Sequence, residues 1–442
     1  MQSNRSLFSQ FLRYASATVA SLLVFSLYSI VDGLFVARGI GEYAMSAVNL
    51  VGPFLNFLFS VAVLFAVGTS TIIAIFLGEG HREKANDLFS QNLALLLLIG
   101  AAISTLVLLF PTGCASLLGA QGVTLPYTVA YLKGLAPFAV CFIVSYNMEI
   151  LVKTDGHPRL AIISVVSGCL SNCVLDYLAI FVLDLGVWGA AAATGLSQLL
   201  TCVIYLLHFL RGKSTFHLVR FRMDWGIYRR LLPLGFSDGV TELCYGLMVF
   251  LFNRTILRCI GQDGLVSYTI ITYVTTLIAN VQLGISQGTQ PLVSYQYGKK
   301  QPELCRKLLR YALTSVAIVA ALSFVVSVLF TPQLVGAFLG DENPALHLSA
   351  VSAFRRYSFC YLLAGFNTLS GGFMTAVERP RSAIAISVGR GFLLQSACLL
   401  LLAGVWGGNA IWFAPTLSDG LCLVFSVSVL RRLRLPGEAA AA

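Results

Sequence analysis

Hydrophobic residues in this chain run in long blocks separated by short polar turns. The blocks fall near 11–37, 47–77, 88–110, 124–151, 160–183, 187–210, 228–258, 264–290, 303–330, 348–375, 382–404 and 407–430. Each reaches or exceeds the ~20 residues that cross a hydrocarbon layer as a helix, so twelve membrane-spanning helices are expected. Several overshoot that length, which predicts tilt or protrusion. Pro53, Pro137, Pro233, Pro291 and Pro415 lie inside blocks or near their ends, as membrane helices tolerate.

Composition agrees. Of 442 residues 57% are hydrophobic and 11% charged, against about 25% charged in soluble domains. The net charge of +10 does not indicate nucleic acid, because the basic residues recur at alternate loops instead of forming one patch. Counting an N-terminus on the cytoplasmic side, the tails and cytoplasmic loops hold 22 of the 29 Lys and Arg, from Arg5 and Arg13 to Arg431–Arg434. That bias places both termini inside. Arg5 and Arg13 before an apolar run resemble a signal peptide, but the run is too long and Asp32 interrupts its far end; it reads as an uncleaved first span. The eleven cysteines are odd in number and form no CxxC. Cys169 and Cys173, one turn apart, read as packing residues.

The chain repeats itself. Shifting 38–85 by 220 places Arg38, Ile40, Gly41, Val61, Gly68, Thr69, Gly78 and Glu83 on Arg258, Ile260, Gly261, Val281, Gly288, Thr289, Gly298 and Glu303. A shift of 222 places Pro158, Arg159, Ala161, Ile162, Gly186 and Thr194 on Pro380, Arg381, Ala383, Ile384, Gly408 and Thr416. Six helices per repeat is an even number, so the halves run in the same direction and are expected to be related by a pseudo-two-fold axis along the membrane normal. The expected organisation is an N-lobe (1–212), a basic cytoplasmic linker (213–227) and a C-lobe (228–442). Two such lobes suit an alternating-access carrier.

Carboxylates inside spans carry the chemistry, since each costs roughly +2.5 to +3.5 kcal/mol to insert at a helix centre. Asp32 lies near the outer end of the first helix, Asp176 near that of the fifth, and Thr194 near the start of the sixth. At 1.5 Å per residue all three sit roughly 9–12 Å below the outer surface. Asn172 is one turn from Asp176 and shares its face. Three helices thus bring oxygen ligands to one level. Such a group can share a proton between carboxylates, hold a hard cation, or serve only as interhelical glue.

The quoted residues belong to longer patterns: Val31-Asp32-Gly33 followed by Arg38-Gly39-Ile40-Gly41, Asn172 to Asp176, Gly186-Val187-Trp188-Gly189 through Thr194, Gln290-Pro291 through Tyr297-Gly298, and Pro415 to Asp419. Together they resemble the multidrug and toxin extrusion (MATE) transporters over nearly the whole chain. The resemblance implies that Asp32, Asn172, Asp176 and Thr194 form a coupling-cation site for H+ or Na+, with no other cofactor and no fixed metal. Asp238-Gly239-Val240-Thr241-Glu242 is similar to the MepA-like branch of bacterial multidrug exporters, although Phe236-Ser237 stands where that branch usually has Pro-Ser.

Glu242 and Asp419 lie near mid-membrane, and Asp238 shares a face with Glu242. In a carrier of organic cations these carboxylates are candidates for the substrate cleft, together with the amides of Gln287 and Gln290 beside Pro291. Against that stand Arg390, which could pair with Glu242 or Asp419, and plain helix packing by the amides. Glu149 beside Lys153 reads as an interfacial charge; Lys133, Arg355 and Arg356 lie where they can snorkel. No P-loop and no HExxH occur, and the five His are scattered in or near loops, so an enzyme is not expected. The resulting expectation is an all-α twelve-helix antiporter with the MATE fold, in the bacterial inner membrane, exporting small organic drugs and acting as a monomer. A flippase for lipid-linked precursors and a non-transporting ligand sensor are the alternatives.

Overall fold

Backbone in hydrocarbon must satisfy every N–H and C=O within its own segment, and the helix does so locally. In the computed structural model, which describes residues 6–212, 214–339 and 344–437, the described residues form helices and turns and no strand. Twelve long helices follow the twelve blocks: α1 (Leu7–Gly39), α2 (Glu42–Glu79), α3 (Arg82–Leu109), α4 (Thr124–Thr154), α5 (Pro158–Val182), α6 (Gly186–Leu210), α7 (Trp225–Cys259), α8 (Gln262–Gly298), α9 (Pro302–Leu329), α10 (344–376), α11 (Pro380–Val405) and α12 (Gly408–Arg432). Eleven contain stretches long and apolar enough to cross a membrane. The other, α10, is built of Pro344–Tyr357, a 3-10 turn Ser358–Cys360, and Tyr361–Ala376. Asn367, Thr368, Ser370, Gly371 and Gly372 dilute its hydropathy.

Packing divides the chain into two units, Ala20–Gly239 and Val240 onward, and the second also takes the start of α1 up to Val19. This boundary differs from the expected linker at 213–227 for a physical reason. The first turns of α7 bury Tyr228, Leu231 and Leu234 in the core of the first unit. The first turns of α1 bury Phe11, Tyr14 and Ala15 in the core of the second. Small residues permit both approaches. A Cβ on Gly68 of α2 would lie 2.8 Å from Leu231 Cγ, and one on Gly288 of α8 would lie 2.8 Å from Ala15 Cα. Gly68 and Gly288 are the same position of the 220-residue repeat, so each half uses one glycine to seat the other half's opening helix.

In the first unit α2 is the central helix: 78% of its most apolar window is buried, against 28% for α1, α3 and α5. A polar ladder ties it to its neighbours. Thr69 Oγ1 donates to Asn92 Oδ1 (3.0 Å), Asn92 Nδ2 donates to Asn147 Oδ1 (2.9 Å), and the Ser70 and Thr154 hydroxyls lie 2.7 Å apart. The linker is a strap, not a tether. Extended backbone presents every second N–H to one side, and side chains take them: Thr215 N–H to Asp155, His217 N–H to Asn86 (2.8 Å) and Val219 N–H to Ser90 (2.9 Å). Phe216 between them is fully buried against Phe89 and Phe209.

Pro137 lies in a 3-10 turn, Ala136–Phe138, inside α4. Phe138 then fills the space over Gly195 of α6, where an added Cβ would come within 2.8 Å of Phe138 Cβ and closer still to its ring. Gly195→Ala is therefore expected to push α6 off α4, displace Thr194 and cost about 1–3 kcal/mol by overpacking. A fall in melting temperature of the purified protein relative to Gly113→Ala, at an open position, checks this.

Candidate cation site in the first unit

The site assembles on α4, α5, α6 and the part of α1 from Ala20 onward, all within the first unit. Helical spacing places Asn172 and Asp176 on one face of α5; they are 1% and 0% exposed. Thr194 of α6 is 6% exposed. Its hydroxyl accepts a long bond from Asn172 Nδ2 (3.4 Å) and donates to the Ala190 carbonyl (3.0 Å). Half-buried Asp32 of α1 brings its carboxyl within direct reach of Asp176. Immediately after Asp176 the helix loosens into a π turn, Leu178–Val182, a distortion common at functional positions.

Among the described residues, four buried oxygens there have no hydrogen-bond partner: Asp32 Oδ1, Asn172 Oδ1, Asp176 Oδ1 and Asp176 Oδ2. Ionised carboxylates are acceptors only, so two of them side by side call for a proton or a cation between them. The residues expected from sequence are therefore brought together, and the donor set is all oxygen, which suits a hard ion. Two tyrosines complete the site. Tyr131 of α4, 2% exposed, meets the Thr194 side chain and lies near both carboxylates. Tyr28, one turn before Asp32, lies near both carboxylates and Tyr131.

Tyr28 also lines a cavity of about 60 Å³ that continues past Cys169 to Gln198, Thr201 and Glu149. At roughly 10–15 Å³ per water it has room for about four to six waters, and it is well below the about 150 Å³ that accommodates a benzene. Glu149 is paired within the unit. Its carboxylate accepts from Lys153 Nζ at 2.8 Å with the side chains 13% and 4% exposed, a pair inside the unit. Lys133 and Arg355 are exposed and Arg356 is half-buried.

The expected cleft residues separate. Asp419, 6% exposed, is held within the second unit. Arg390 Nε donates to its Oδ1 at 2.9 Å, Asn367 Nδ2 donates to the same oxygen at 3.2 Å and to the Asp419 carbonyl at 2.9 Å, and Arg390 Nη1 donates to Thr368 Oγ1 at 2.7 Å. Arg390 thus pairs with Asp419 and not with Glu242. It does so from a π turn, Gly389–Leu393, and two of the polar residues that weaken α10 as an apolar span hold the pair, Thr368 against Arg390 and Asn367 against Asp419. Gln290 is 8% exposed, its amide against Gly372 of α10, and packs as glue. Gln287 and Glu242 are half-buried. Asp238 falls in the first unit and Glu242 in the second.

A protein-family model described as MatE matches residues 17–178 and 239–397, most of the chain. The chain belongs to the MATE family of transporters. It is a multi-pass membrane protein and not an enzyme. Multidrug export protein MepA of Staphylococcus saprophyticus is 24% identical over 422 residues, covering 93% of this chain and 92% of that protein. A crystal structure of MATE in complex with MaL6 superposes with a TM-score of 0.90 at 22% identity, covering 97% of this chain and 96% of that one. An outward-facing multidrug resistance MATE transporter of the MOP superfamily also gives 0.90, at 21% identity and the same coverage. These likenesses establish the MATE fold.

In this MATE chain, sequence reasoning overlooked Tyr28 and Tyr131. The four-residue step from Tyr28 to Asp32 would have pointed to the first. Nothing local marks Tyr131, because its place at the site depends on how α4 packs against α6. The five His are likewise not all scattered: His157 and His208 meet edge to face with ring centroids 4.6 Å apart.

Proposed function

We propose that this protein is a cation-driven exporter of small organic drugs, working by alternating access as a single chain in the bacterial cytoplasmic membrane with both termini inside. One observation carries the reading: the buried, unpartnered oxygens of Asp32, Asn172 and Asp176 converge beside Thr194 with no basic group among the described partners. A buried carboxylate pair left uncompensated costs several kcal/mol, so binding H+ or Na+ there releases a large free energy and can repack α1 against α5. The cavity from Tyr28 to Glu149 ends one helical turn from Asp32 at Tyr28 and is the opening through which we expect the ion to approach the pair. Multidrug export is the activity named for the staphylococcal relatives, and the aromatic rings of Phe25, Phe59 and Tyr146 around that cavity suit flat organic cations once it widens. Glu242 and Asp238 on α7, with Gln287, are the remaining candidates for substrate contact.

The test is efflux of a fluorescent organic cation from proteoliposomes under a proton gradient and a sodium gradient imposed separately. Driven efflux under one of them names the ion; none under either, with folded protein, overturns the proposal. Thr194→Val reads the ion's chemistry. A shared proton needs no hydroxyl, so proton-driven efflux is expected to stay within about threefold, whereas Na+ loses an oxygen ligand and sodium-driven efflux falls about tenfold or more.

A further inference from the structure

Asp155, His157 and His208 meet at one end of the first unit, away from the carboxylate pair. α4 ends in a left-handed turn at Gly156 (φ 94°), closed by Gly156 N–H to Lys153 O (3.0 Å) and His157 N–H to Val152 O (3.0 Å), the bonding of a Schellman cap. The turn folds His157 back so that its Nδ1 lies 2.9 Å from Asp155 Oδ2, and His208 from the last turn of α6 brings Nε2 to 2.7 Å from the same oxygen. The three ligand atoms lie within 4.8 Å of one another.

We propose that this triad is a binding site for a divalent transition ion of the zinc class. Two imidazole nitrogens and one carboxylate oxygen are a donor set such ions prefer and Mg2+ or Ca2+ do not. Ligands about 2.1 Å from a tetrahedral ion lie about 3.4 Å from one another. The two Asp–His pairs, now at hydrogen-bonding distance, would open by about half an ångström, and the two ring nitrogens, within 4.8 Å of each other, would close by up to about 1.4 Å. The Asp155 side chain is fully buried and oriented from behind, since its other oxygen accepts the Thr215 N–H, which is the outer-shell support that metal carboxylates have. The His157 side chain is 43% exposed, leaving a path for the ion and a position for water as fourth ligand. The fold itself does not demand the triad. In the second half the equivalent turn is Val377-Glu378-Arg379 before Pro380, again with positive φ at its centre (Glu378, 54°). That copy turns the chain without histidine or a buried aspartate. An ion at the first copy ties together the α4–α5 turn, the end of α6 and, through Thr215, the linker strap.

The experiment uses the full-length protein in detergent, its affinity tag removed and metals stripped with chelator, titrated with Zn2+ and separately with Co2+. One equivalent of Zn2+ is expected to bind with a dissociation constant in the micromolar range or below. Co2+ should show visible d–d absorption that Zn2+ displaces, and millimolar Mg2+ should not compete. His157→Ala, on a half-exposed ring that folding does not need, should weaken Zn2+ binding at least tenfold, as should His208→Gln; His217→Ala should leave it unchanged. Absence of saturable binding, or binding indifferent to His157→Ala in folded protein, overturns the site and leaves the triad as a hydrogen-bonded clasp.

Discussion

Asp32→Asn is expected to abolish gradient-driven export while the protein remains folded. A charge crossing the field contributes about 2.3 kcal/mol per 100 mV, which is about a 50-fold accumulation ratio per ion. A carrier that cannot bind its ion loses that whole factor. Stability should move the other way. Asp32 and Asp176 are adjacent carboxylates, and Asp32 Oδ1 and both Asp176 oxygens lack partners, so neutralising one relieves repulsion and desolvation instead of breaking a favourable pair. The melting temperature of Asp32→Asn should therefore be equal to or above that of the parent. Asp176→Asn should behave alike, and the double variant should lose no more transport than either single, because the two act as one binding unit. Efflux from proteoliposomes and thermal unfolding of the same preparations check both halves. Driven export retained in either single variant would rule out the coupling role.

Arg390→Ala should have the largest effect on stability. It leaves the Asp419 carboxyl 6% exposed and without its cation, a loss of about 3–5 kcal/mol for a broken buried pair. It also strips Thr368 of its donor and leaves α10, the least apolar of the long helices, more weakly tied to α11. The reverse substitution, Asp419→Asn, keeps the Asn367 contacts in part and should cost less. Replacing both, Arg390→Met with Asp419→Leu, should recover most of the loss, since apolar residues of similar volume often match a buried pair. With the single variants Arg390→Met and Asp419→Leu added, the melting temperatures form a double-mutant cycle with a coupling energy above about 1 kcal/mol. If Asp419→Asn instead stopped transport at unchanged stability, the carboxylate would belong to the substrate path and not to the frame.

What the sequence determined by itself is everything that depends on local chemistry. Block hydropathy fixes where helices run, because backbone in hydrocarbon has no other local solution. The 220-residue repeat appears in the structure as Gly68 and Gly288, each seating an opening helix. Depth counting along α1, α5 and α6 placed Asp32, Asp176 and Thr194 at one level, and the structure brings them together with Asn172. The tertiary structure decided every choice of partner. Arg390 could reach Glu242 or Asp419 by depth alone, and a π turn in α11 selects Asp419. Glu149 beside Lys153 reads as an interfacial charge along the chain, and packing pairs the two with little exposure in the first unit. Tyr131 and the pairing of His157 with His208 depend on which helices touch. The starts of α1 and α7 cross to the other unit's core although nothing in their hydropathy says so. Hydropathy and period are properties of one helix, whereas contact is a property of two, and only packing supplies the second.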